Sequence, residues 1–311
     1  MAAIHSAQAE ALPRTGSGSH LLGGDPQWLQ SMIGAQVGHV HKIVRHAASG
    51  GMGHVFIVEH TQLGAFAAVK LASPGSEIAR ETLAHEARLL SRVQHPHIVQ
   101  VIDYGKTDCG HDFMLMEYVS GVELHAFIES SGPMPLARAL PILRQVSAAI
   151  DHLHAHGIVH SDIKPANVLF DPCAFDFAKL IDFGVAFYED SSGRDRAACG
   201  TPAYMAPEQT PGSDCERTVD VYGLAALAFE LVTGKRIGAF ASRQAALQHA
   251  LDFMPSLEQR GGLSGFHTVL ERALDERPHA RFPGARAFVS ALEHSLNRYA
   301  RAHSHPRGAR A

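Results

Sequence analysis

Two short stretches set the terms for this 311-residue chain. The first reads His160-Ser161-Asp162-Ile163-Lys164-Pro165-Ala166-Asn167-Val168-Leu169. The second, Asp182-Phe183-Gly184, has its aspartate fifteen residues after Asn167 and follows the apolar run Ala178–Ile181. Gly200-Thr201-Pro202-Ala203-Tyr204-Met205-Ala206-Pro207-Glu208 comes next, and then Asp220 at the head of a helical pattern.

What surrounds these stretches changes character along the chain. Residues 1 to about 24 carry Ala, Ser, Gly and His without apolar periodicity and read as a flexible leader. Asp25 and Pro26 look like the cap and first position of a short helix through Trp28, Leu29, Met32 and Ile33. From Val40 to Leu71, short β-branched and aromatic runs are separated by glycine-containing turns, the signature of strands. Ile78–Val93 has a helical period, and strand-like runs follow at 97–105 and 112–119. After Gly121 the pattern is mostly helical, most clearly over Leu136–His156 and Thr218–Thr233. The last residues, from 300 on, read as a basic disordered tail.

Three features of the β-rich part are weak when taken singly. Ala48-Ser49-Gly50-Gly51-Met52-Gly53-His54-Val55 places glycines where a hairpin backbone could lie close over phosphates, yet an unliganded Gly-rich turn is the commoner reading. Lys70 ends the apolar strand Ala67-Ala68-Val69-Lys70, where lysines usually snorkel to solvent. Glu86, sixteen residues on, could pair with it, although a lone Glu on a helix is normally solvated.

In combination and in this order, the motifs resemble the protein kinase family, specifically its bacterial Ser/Thr branch, from about Val40 to Ala291. The resemblance implies an α+β bilobal fold: an N-terminal extension over 1–37, a β-rich lobe over about 38–116, a helical lobe over about 120–299 and the tail over 300–311. It also implies transfer of the γ-phosphoryl group of Mg²⁺-ATP, with Mn²⁺ as an alternative ion, to Ser or Thr hydroxyls of a protein substrate. Such chemistry asks a protein chiefly for positioning and charge neutralisation.

By that resemblance Gly50, Gly51 and Gly53 cover the phosphates, Lys70 holds them, and Glu86 holds Lys70. Asn167 and Asp182 offer oxygen to the metal. Asp162 takes the substrate's proton, Lys164 neutralises the transferring phosphate, and Thr201 braces both. Val55 and Ala68 above and Leu169 below enclose adenine. Met116 is the gatekeeper, and the Glu117 carbonyl and Val119 N–H read the base edge. Glu208 pairs with Arg281, Asp220 accepts from the catalytic loop, and Leu90, His160 and Phe183 stack. A scaffold that binds nucleotide or a partner without turnover, and a small-molecule phosphotransferase, are the alternatives.

The sequence departs from the family's pattern twice. Ala48 stands in place of the first loop glycine, at small cost if its φ is negative. Ser161 stands where most of the family has an Arg that pairs with a phosphate on the following loop. That loop, Val185–Cys199, holds Tyr188, Ser191 and Ser192, and activity is expected not to depend on its phosphorylation.

Composition narrows the remaining possibilities. Lys and Arg number 27 against 31 Asp and Glu, so no strong basic field suits nucleic acid. No segment reads as a secretory signal or a membrane span, and four scattered cysteines fit a reducing, cytoplasmic compartment. A secreted effector without a cleavable signal stays open, as does the oligomeric state. Cys199 is expected to be inert. Of the 22 histidines, His154 resembles a packed position, and His152 and His156 share a helix face without a third ligand. The rest are expected mostly in leader, loops and tail.

Overall fold

The computed structural model describes residues 25–173, 177–189, 200–213, 215–252 and 257–303. The expected leader, Ser191, Ser192, Cys199 and most of the tail lie outside the described residues.

The first element among the described residues is helix α1 (Pro26–Met32), where Asp25 Oδ1 accepts the Gln27 N–H at 2.9 Å and Pro26 supplies a preset first turn. Strands β1 (Gln36–Val37), β2 (His41–Gly50), β3 (Gly53–His60), β4 (Phe66–Ala72), β5 (Val101–Lys106) and β6 (Asp112–Glu117) form one antiparallel sheet in the order β1-β2-β3-β4-β6-β5. Helix α1 lays Met32, Trp28, Leu29 and Ile33 onto a sheet core containing Phe56, Val58, Val69, Leu71, Phe113 and Leu115. The expected extension over 1–37 therefore gives its second part to the lobe. Gln36 and Val37 pair with Lys42 and His41 across the expected boundary.

The two-residue period of β4 buries Ala67, Val69 and Leu71 in that core and turns Ala68 and Lys70 to the opposite face. Register then extends this second face. Lys70 lies opposite Val55 and Met114, and Ala68 opposite Ile57 and Met116. Helix α2 (Glu77–Leu90) is capped by Ser76 Oγ, which accepts from the Ala79 N–H, and buries Ala79, Leu83, Glu86, Ala87 and Leu90.

The second lobe follows β7 (Val122–Glu123) with α3 (Leu124–Ser131) and α4 (Leu136–Ala155). Short strands β8 (Ile158–Val159), β9 (Val168–Phe170), β10 (Ala178–Leu180) and β11 (Phe187–Tyr188) come next, then α5 (Thr218–Thr233), α6 (Arg243–Asp252), α7 (Leu257–Ala273) and α8 (Ala285–His303). Every residue of α5 from Val219 to Thr233 is buried, as an almost uniformly apolar helix requires of its surroundings. A Cβ on Gly223 would lie 3.1 Å from Ile163, so glycine there lets α5 press against the loop carrying Asp162. Helix α8 continues to His303, so residues 300–303, expected in the tail, are helical. Phe288 and Leu292 of this helix are buried in the core, and Leu296 packs against it.

The histidines also correct an expectation. Of the rest, His41, His46, His54 and His60 lie on β2 and β3, and His85, His125, His249, His267 and His294 lie on helices. On strands the ring packs as an aromatic would: His41 meets its cross-strand partner His60 at 5.1 Å, and His54 meets Trp28 at the same distance.

Candidate active site

The site begins with the lysine that β4 points away from the sheet core. Lys70 Nζ donates to Glu86 Oε2 at 2.7 Å and to Asp182 Oδ1 at 2.9 Å. Burial opposes its charge, but the two carboxylates hold the ammonium well above the ordinary lysine range. Burial pushes Glu86 up, against the opposing pull of Lys70. Burial also works against the Asp182 charge, yet Lys70 and the Gly184 N–H hold that carboxyl well below the usual range. Glu86 Oε1 meanwhile accepts the Phe183 N–H at 3.0 Å, so one buried carboxylate fixes both the lysine and the Asp182-Phe183 turn.

A second cluster forms around Asp162. Lys164 Nζ donates to Asp162 Oδ2 at 2.6 Å and to Thr201 Oγ1 at 2.7 Å, while the Thr201 N–H donates to Asp162 Oδ1 at 2.9 Å. Asn167 Nδ2 donates to the Asp162 carbonyl at 2.9 Å and to its carboxylate at 3.2 Å. With its amide nitrogen spent on Asp162, Asn167 keeps its oxygen as the acceptor for a cation. An amide oxygen and the Asp182 carboxylate form the hard donor set that suits Mg²⁺.

The loop carrying these groups is held from below. Asp220, at the first turn of α5, accepts the His160 and Ser161 N–H groups at 2.9 and 2.7 Å, and His154 Nε2 also bonds it at 2.8 Å. The Asp220 carboxyl lies below its ordinary range despite burial, because His154 and these N–H groups favour the charge. His160 and Phe183 pack with ring centroids 4.7 Å apart, and Leu90 is buried in the same core. Ser161 adopts φ 63°, a left-handed conformation that costs a non-glycine residue about 1–2 kcal/mol.

The Thr201–Glu208 stretch is anchored at two further points. Tyr204 Oη donates to the buried carboxylate of Glu230 on α5. Arg281 grips Glu208 with two bonds, at 2.5 and 2.7 Å.

Above the cleft, Gly53 is buried, and a Cβ there would meet the Leu71 carbonyl at 2.5 Å. Strand packing thus demands that glycine, whereas Gly50 and Gly51 are exposed at the turn. Ala48 has negative φ and pairs with Val55, so the missing glycine costs the backbone little. Val55, Ala68 and Leu169 are half-buried between fully buried neighbours, Val119 is half-buried, and Met116 is buried.

The Glu117 side chain was not foreseen: it accepts from the Gln100 N–H and from Lys179 Nζ. Also unforeseen were His85, which bonds the Ala186 carbonyl, and Gln209, whose Nε2 donates to the Ser161 carbonyl. A lysine inside the apolar run Ala178–Ile181 was the signal for Lys179. Nothing local marks His85 or Gln209.

The sequence is similar to those of known proteins. A family model described as the protein kinase domain matches residues 42–290. The chain is 31% identical over 281 residues to the serine/threonine-protein kinase pkn3 of Myxococcus xanthus, covering 84% of this chain and 51% of that protein. It is 34% identical over 273 residues to PknD of Mycobacterium tuberculosis, covering 85% and 40%, and 33% identical over 275 residues to PknH of Mycobacterium bovis, covering 86% and 46%. The chain belongs to the protein kinase family, within its bacterial Ser/Thr branch. It spans about half or less of the length of these relatives. Among the described residues no helix is long and apolar enough to cross a membrane.

Proposed function

We propose that the chain is an ATP-dependent protein kinase that phosphorylates Ser or Thr hydroxyls of protein substrates, itself included, in a reducing, cytoplasmic compartment. The observation that carries this reading is the pairing of two complete clusters: Lys70 between Glu86 and Asp182, and Asp162 between Lys164, Thr201 and Asn167.

Each group has a task in the loose, anionic transition state. Lys70, held charged and centred by Glu86, orients the α- and β-phosphates. Asp182 and Asn167 would hold the divalent ion, which when bound neutralises charge on the bridging phosphate oxygens. Asp162, fixed through both carboxylate oxygens, orients the acceptor hydroxyl and takes its proton. Lys164 lies against that carboxylate and offers its charge to the phosphoryl group in flight. The half-buried Val55 and Ala68 above and Leu169 below support an adenine slot. Met116 lies at its back, and the backbone from Glu117 to Val119 is available to the base edge.

Incubation with Mg²⁺-ATP and a generic protein substrate tests the reading. Transfer that disappears in Asp182→Asn supports it. Nucleotide binding without transfer by the wild-type chain would instead favour a scaffold.

A further inference from the structure

Directly after Asp182-Phe183-Gly184, two successive carbonyls are captured by side chains from opposite lobes. Ser161 Oγ, in the loop beside Asp162, donates to the Val185 carbonyl at 2.8 Å. His85 Nε2, on α2 next to Glu86, bonds the Ala186 carbonyl at 2.9 Å. A carbonyl only accepts, so His85 must carry its proton on Nε2, which holds for one neutral tautomer and for the cation alike.

Ser161 is aimed for this contact at some cost. Its N–H donates to Asp220 Oδ1 at 2.7 Å and its carbonyl accepts from Gln209 Nε2 at 2.9 Å, which together fix φ at 63°. Glycine would adopt that backbone freely but would bring no hydroxyl. Gln209 is itself buried and oriented by the Ala206 N–H at 2.8 Å. Beyond the captured carbonyls, Phe187 and Tyr188 pair with Val159 and Ile158, so the segment is tied down continuously from Phe183 to Tyr188.

We infer that Ser161 and His85 form a two-point latch that keeps the root of this segment, and with it Asp182 and α2, in register for phosphotransfer without any phosphate on the chain. They are positioning residues: neither touches the reacting atoms, and each acts through the backbone that carries Asp182. The inference rests on the kinase reading and supplies its regulation. Every group in the latch belongs to the unmodified polypeptide.

The test uses the full chain after phosphatase treatment. Hydrogen–deuterium exchange is followed in peptides covering residues 182–189, alongside initial rates with Mg²⁺-ATP. The dephosphorylated wild type should keep its rate within about twofold of the untreated protein. Ser161→Gly, which relieves the backbone and so folds, and His85→Ala should each raise exchange in that segment. Each should lower kcat about three- to tenfold with little change in KM for ATP. His85→Gln, which retains a donor, should recover much of the protection.

Unchanged exchange in the Ser161→Gly/His85→Ala double variant would overturn the latch. So would a wild-type rate that collapses on dephosphorylation. A wild type that transfers no phosphate under any condition would defeat the kinase reading instead, while the exchange data would still decide the latch.

Discussion

Glu117 and Lys179, sixty-two residues apart, are joined by a 2.6 Å ion pair that spans the connection between the lobes. Glu117 ends β6 and Lys179 sits in the middle of β10, only 9% of its side chain exposed. The same carboxylate oxygen accepts the Gln100 N–H at 2.7 Å. One side chain therefore ties the N-lobe edge, the hinge and the sheet beneath the cleft together.

Removing the two partners should not cost the same. Glu117→Ala leaves a buried ammonium and a backbone N–H without their acceptor, a loss of about 2–4 kcal/mol. Lys179→Met fills the same space and leaves Glu117 bonded to Gln100, so it should cost about 1 kcal/mol or less. Urea unfolding of both variants measures the order, which the structure requires to be Glu117→Ala well above Lys179→Met.

Arg281 and Glu208 give a second stability prediction. The Arg281 side chain is wholly buried and its two bonds to Glu208 fix the end of the loop that presents Thr201. Arg281→Ala should destabilise by about 3–5 kcal/mol, because it strands a carboxylate and opens a cavity. The change should appear in the denaturant midpoint with little change in slope.

Glu86→Gln tests the link from α2 to the cleft. The substitution preserves size but removes the charge facing Lys70 and weakens the hold on the Phe183 N–H. Phosphotransfer should fall about 10- to 100-fold, corresponding to about 1.4–2.7 kcal/mol of transition-state stabilisation. Circular dichroism should be unchanged.

A pH prediction follows from the histidines that cluster at His95 and the end of α4. His95 stacks on His152 of α4 with centroids 5.0 Å apart and faces His97, while His152 in turn meets His156, just past the end of α4, at 4.5 Å. Burial, then His152 and His97, then the charges of Arg286 and Lys179, lower His95 to about 4. Its unfolded value is near 6.5, so the unfolded chain binds the extra proton first. Stability from this group is present above about pH 6.5 and is lost as pH falls toward 4. Melting temperature should drop over that window, and His95→Gln should flatten the drop.

Much of the fold was legible because the constraints are local. Asp25-Pro26 announced α1, and the apolar run Ala67-Ala68-Val69-Lys70 announced β4. The uniformly apolar Thr218–Thr233 marked the central helix. The candidate site was legible through ordered motifs, and the structure brings Lys70, Glu86 and Asp182 together and Asp162, Lys164, Asn167 and Thr201 together.

What escaped depends on long-range packing. His85 finds Ala186, and Lys179 finds Glu117, only once the lobes meet. The φ of Ser161 is set by Asp220 and Gln209, which are distant in sequence. The strand histidines escaped because their ring packing resembles that of aromatics, which composition counts as polar.

The most direct measurement is the initial rate of radiolabelled γ-phosphoryl transfer to a protein substrate by the wild type and by Asp162→Asn, with phosphoamino acid analysis of the product. Asparagine keeps one acceptor oxygen, enough for the Thr201 N–H or for Lys164 but not both, and cannot take a proton. The account predicts phosphoserine or phosphothreonine from the wild type and a rate lowered at least about 100-fold in the variant. Equal rates from the two proteins, or a wild type that binds nucleotide and transfers nothing, would contradict it.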